Sequence, residues 1–122
     1  AMVPTLLGAT TQATRLEVVA EVRAWIEDAD PAGVAWAQRA MAARPDSHAD
    51  LAALAAPALV IWGEEDVISP RAEQDSMVEA LRDARVVTVP GAGHLTAVED
   101  PTAVATAIVA FLHDVRRLPQ ST

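Results

Sequence analysis

"PALVIWGEEDVISP", Pro57 to Pro70, decides how this sequence folds. Its apolar run Ala58-Leu59-Val60-Ile61-Trp62 is short, continuous and stopped by Gly63, the pattern of a strand buried on both faces. Ser69-Pro70 predicts a helix from there to about Leu81, with Ser69 as its cap. Arg85-Val86-Val87-Thr88-Val89 is a second such strand, stopped by Pro90-Gly91. Asp100-Pro101 starts a final helix whose Val104, Ile108, Phe111, Leu112 and Val115 lie on one stripe. Strand, helix, strand, helix predicts an α/β unit with two parallel strands and a right-handed crossover.

Upstream, residues 1–55 read as all-helical, a segment distinct from the βαβα unit of residues 56–122. Thr14-Arg15-Leu16-Glu17 has the spacing of a capping box, and Val18, Val19, Val22, Trp25 and Ile26 follow at helical spacing. Asp30-Pro31 starts a second helix, Ala-rich and running to Arg44. Two parallel strands alone leave an edge unpaired and a face uncovered, so the unit is expected to belong to a larger sheet.

Composition narrows the chemistry. The chain has 122 residues, enough for one domain, and 52% hydrophobic content suits a packed core. A net charge of −8, with Arg116-Arg117 as the only adjacent basic pair, argues against nucleic acid or an anionic membrane as partner. Absence of cysteine removes thiolate catalysis, disulfides and thiolate metal sites, and fits a reducing, cytoplasmic compartment. No run approaches the roughly 18 apolar residues of a membrane helix, and no signal pattern opens the chain. Ala1-Met2 reads as a cloning remnant.

In open parallel sheets functional groups gather beyond the C-terminal ends of strands. Asp66 follows the first strand in Gly63-Glu64-Glu65-Asp66, and His94 follows the second in Gly91-Ala92-Gly93-His94. Neighbouring strands put these loops side by side. An Asp that fixes a His tautomer and stabilises its imidazolium is two-thirds of a nucleophilic triad. The two residues lie 28 positions apart, room for loop, helix and strand between them.

With those residues in view, the chain resembles the C-terminal part of an α/β-hydrolase-fold enzyme, enol-lactonase- or esterase-like. The matching stretches are "PALVIWGEEDVISP", "VPGAGHLTAVEDPTAVATAIVAFL" and the cap-to-core passage "MAARPDSHADLAALAAPALVIWGEED". The resemblance implies that residues 1–55 are the end of a helical cap, that Asp66 is the triad acid and that His94 is the general base. It implies a small ester or lactone as substrate of the intact enzyme, and no cofactor or metal. Dehalogenase, peroxidase-like and carbon–carbon hydrolase members share this C-terminal pattern.

One part of the pattern is missing. The family's nucleophile sits in a Gly-x-Ser-x-Gly elbow upstream of the cap. None of Ser47, Ser69, Ser76 and Ser121 has that context. The expectation is therefore a hydrolase fragment with acid and base but no nucleophile, inactive alone and in need of its N-terminal half. The alternative is a structural or interaction module, a split half or designed subdomain, that self-associates through its open edge.

The remaining candidates have plainer readings. Glu64 and Glu65 are expected on the surface. His48 and His113 lack partners at ligand spacing and are expected to face solvent rather than a metal. Glu99-Asp100 reads as helix-start chemistry. Trp25 and Trp36 are expected to serve packing or an interface, although a cap tryptophan can also contact substrate.

Overall fold

The structure is a computed structural model that describes residues 2–117; Ala1 and Ser121 lie outside them. Five helices come first: α1 (Val3–Leu6), α2 (Ala9–Thr14), α3 (Leu16–Asp28), α4 (Pro31–Ala42) and α5 (His48–Ala53). Strand β1 (Ala58–Gly63), α6 (Arg71–Ala80), strand β2 (Ala84–Val89), the short α7 (Thr96–Glu99) and α8 (Pro101–Arg117) complete the order.

The strands pair in parallel, with Ala58 opposite Ala84 and Gly63 opposite Val89. Helices α6 and α8 each contact both strands. Burial on both faces is reached only at one end, at Trp62, Gly63 and Val89; elsewhere the strands are half-buried or exposed, as at Val86 and Thr88. The continuous apolar pattern predicts more. The cause is the width of the sheet: two strands and their helices leave part of a face and the outer edges open among the described residues.

Two helix starts follow the sequence. The Asp30 carboxylate accepts from the amides of Ala32 and Gly33, and Pro31 needs no amide partner at the first helical position. Asp100 accepts from Ala103 N at 3.0 Å and starts α8. Two other expected caps are corrected. Thr14 is the last residue of α2, and its hydroxyl donates to the Thr10 carbonyl. A residue already helical lacks the extended N-cap conformation, so Arg15 forms the break and Glu17 pairs with Arg15 Nε at 3.0 Å. Ser69 does not cap α6 either. Its amide donates to Asp66 and its carbonyl accepts from Trp62 Nε1, because the loop folds around the Asp66 carboxylate.

Two apolar clusters hold the chain together. Val89, Ala92 and Val104 pack beneath the strand ends with Ile61 and Ala103. Leu7, Val18 and Val22 form the other cluster, joined by Ile26, Leu95 and Val98. Leu95 and Val98 follow His94, so this second cluster seats the N-terminal helices on the histidine loop. Each fully buried aliphatic side chain of this kind stabilises by roughly 1.5–3 kcal/mol.

The next helix contrasts with this. Every residue of α4 is exposed, including Val34, Met41 and Trp36 at 68%. Trp36 is thus not a core residue of the described chain, while Trp25 is half-exposed beside the first turn of α4. No helix among the described residues is long and apolar enough to cross a membrane.

Candidate functional site

The parallel register makes the chain turn away from β1 and β2 at the same end of the sheet. There Asp66 Oδ2 lies 3.0 Å from His94 Nδ1. The other oxygen, Oδ1, accepts from the amides of Ile68 at 2.8 Å and Ser69 at 3.1 Å. The Asp66 side chain is only 6% exposed, whereas that of His94 is 37% exposed. Burial pushes the Asp66 carboxyl up, but the Ser69 amide, the His94 ring and the Ile68 amide together outweigh it, leaving it below the usual carboxylate range. An ionised Asp66 accepts, so the His94 proton is assigned to Nδ1 and the Nε2 lone pair is left open.

The loop carrying His94 is held from beneath. The amides of His94 and Leu95 both donate to the Leu6 carbonyl. Glu99, at 3% exposure, accepts from Gly8 N at 2.7 Å with Oε1 and from Gly93 N at 2.9 Å with Oε2. Glu65 reaches across to Thr10, accepting from its amide at 2.8 Å and its hydroxyl at 2.6 Å, and these contacts lower its pKa. Backbone approaches are correspondingly close. A Cβ on Gly93 would lie 2.7 Å from the Leu7 carbonyl carbon, and one on Gly63 would run into the Ala92 and Gly93 carbonyls.

The sequence position of Glu99 predicts helix-start chemistry, and the structure corrects this. Asp100 alone starts α8, while Glu99 turns inward and ties α7 to the Gly8 and Gly93 amides. The available signal was redundancy: one cap suffices for a helix, which left the adjacent carboxylate unexplained. Glu65 is similarly half-buried rather than a free surface residue, whereas Glu64 is exposed and accepts weakly from Gly91 N.

A cleft of about 550 Å³ opens beside Leu95, lined mainly by Leu6, Val22, Trp25, Ile26 and Val34. Among the described residues no serine hydroxyl hydrogen-bonds to His94, and no group of three His, Asp or Glu side chains is arranged to hold a metal. His113 is exposed on α8. His48 faces solvent at the start of α5, and its ring touches Asp46 and Ser76.

Comparison with known proteins agrees with this architecture. A family model described as TAP-like protein, of the α/β-hydrolases, matches residues 22–121. A thermophilic esterase from Thermogutta terrifontis superposes with a TM-score of 0.88 at 40% identity, over 93% of this chain and 42% of that one. The non-heme bromoperoxidase BpoC of Mycobacterium tuberculosis is 40% identical over 63 residues, 52% of this chain and 24% of that protein. Est816, an N-acyl homoserine lactone degrading enzyme, shares the fold with a TM-score of 0.74 at 22% identity, over 90% of this chain and 44% of that one. The chain therefore spans less than half the length of these relatives. The esterase superposition takes in both the helical half and the βαβα half of this chain. By sequence match and by fold, the chain belongs to the TAP-like family of α/β-hydrolases.

Proposed function

We propose that this chain supplies the acid and base of a serine-type ester or lactone hydrolase, with residues 1–55 as part of its cap. A serine from a Gly-x-Ser-x-Gly turn outside these 122 residues attacks the acyl carbonyl, and His94 Nε2 takes its proton. Asp66 stabilises the imidazolium so formed. The imidazolium gives that proton to the departing alkoxide, and in the second half-reaction Nε2 takes a proton from the water that attacks the acyl-enzyme and returns it to the released serine oxygen. The reading rests on one observation above the others: Asp66 is buried, with two amides on one oxygen and the His94 ring on the other. That arrangement fixes the ring and leaves Nε2 open. The cleft beside Leu95 suits the apolar part of a small ester or lactone, and no step calls on a cofactor.

The test has two arms. The isolated chain shows no His94-dependent turnover of short-chain aryl esters, even at high protein concentration. A polypeptide that joins it to an upstream segment carrying the serine turns them over, and His94→Ala lowers that rate about a thousandfold or more. Turnover of the longer polypeptide that survives His94→Ala sinks the assignment. A second reading, a non-catalytic module that self-associates, is favoured by the exposed apolar residues of α4 and the open strand edges. A compact monomer across micromolar concentrations in light scattering counts against it.

A further inference from the structure

Between α5 and α6, a second histidine is held between a carboxylate and a hydroxyl. His48 opens α5, and Asp46 Oδ1 accepts from both its amide, at 2.9 Å, and its ring Nδ1, at 2.5 Å. The opposite ring nitrogen, Nε2, lies 2.9 Å from Ser76 Oγ on α6. The two helices pack together, and Arg82 Nε donates to the Ala52 carbonyl at 2.9 Å, which pins the far end of α5. Leu51 and Met77 line the groove of about 630 Å³ in which the three groups meet. That groove shares no lining residue with the cleft beside Leu95.

The contacts assign the protons. The ring and amide of His48 hold the Asp46 carboxyl below its ordinary range, so the carboxylate accepts from Nδ1–H. Nε2 is then the acceptor for the Ser76 hydroxyl. A hydroxyl bonded to a base that a third group orients is the arrangement that activates a serine nucleophile.

We propose that Ser76 is a nucleophile toward small activated acyl compounds such as aryl esters, with His48 as its base and Asp46 orienting the ring. Ser76 Oγ bonds to the carbonyl carbon while its proton passes to His48 Nε2. The tetrahedral intermediate collapses, the bond to the aryl oxygen breaks, and the phenolate leaves with the electron pair. The acyl group stays on Ser76. All three side chains are exposed, Asp46 at 77%, so water screens their coupling; the product is one acyl-serine per chain rather than a turnover cycle.

The experiment uses the full 122-residue chain and p-nitrophenyl acetate, read by phenolate release and peptide mass mapping. A single acetyl group appears on the peptide carrying Ser76, and Ser76→Ala abolishes it. His48→Gln slows its formation at least about tenfold, less than the roughly hundredfold or more of a base in a water-excluded site because this one is exposed. Thermal melts confirm that both variants fold. Absence of the Ser76 adduct, or an unchanged rate of its formation in His48→Gln, overturns the proposal.

Discussion

Among the described residues, two carboxylate–histidine pairs have the same atoms in contact and opposite surroundings. Asp66 and His94 come from loops 28 residues apart, and the acid is 6% exposed. Asp46 and His48 are two residues apart, and the acid is 77% exposed. A local pair needs only one turn of chain to form, and water competes for it throughout. The distant pair forms only when two strands lie in register and the loops beyond them are held. In return its acid, with little surface left to water, is held to its ring partner. Proximity is shared by the two pairs; what separates them is the scaffold that enforces it.

The sharpest way to break this contrast is to remove the scaffold. Gly93→Ala sets a methyl against the Leu7 and Gly8 backbone, where neither side can yield cheaply. The expected loss is about 3 kcal/mol or more, seen as a fall in Tm of roughly 12 °C or more on the usual scaling. If Tm holds, the loop is not the tight clamp described above. Glu99→Ala comes next. It leaves the Gly8 and Gly93 amides without their acceptor in a buried site, at a cost of about 2–4 kcal/mol in denaturant unfolding. Glu99→Gln, which keeps one acceptor oxygen, recovers part of it. Equal losses in the two variants would mean that the charge, not the clamp, matters.

The two pairs were not equally legible in the sequence. Asp66 and His94 were legible because strand-stop-loop patterns and family motifs both mark them, and the parallel register follows from the βαβα order. Glu99 was not, since a carboxylate beside Asp100-Pro101 has the local signature of a cap; only the Leu6–Gly8 segment folding back beneath the loop gives it another task. Thr14 failed for the opposite reason. Its capping-box spacing was correct, but residues 9–14 had already formed a helix, and tertiary placement overrode the local signal. The contact between His48 and Ser76 depends on α5 docking against α6, and no spacing rule encodes that.

The pairs also separate by pH and by mutation, with smaller effects. Asp66 has its pKa lowered on folding, so its contribution is fully present above its unfolded pKa, near 4. It is lost as pH falls through the folded value, because the unfolded chain then binds the proton more readily. Asp66→Asn is expected to cost about 2 kcal/mol at neutral pH, the scale of hydrogen bonds to a charged group. It also flattens the decline of stability below pH 4. An unchanged acid profile would show that the other carboxyls lowered on folding, Glu65 and Asp46 among them, carry that slope instead. The smallest effect belongs to the exposed pair. Asp46→Asn leaves the melting midpoint unmoved, since both contacts of this exposed carboxylate to His48 compete with water already. Its trace is kinetic: the asparagine can still meet the His48 ring but no longer fixes its tautomer, so acetylation of Ser76 slows while Tm does not change. A drop in Tm would mean that Asp46 supports the start of α5 through the His48 amide, and that the exposed pair is more structural than its accessibility implies.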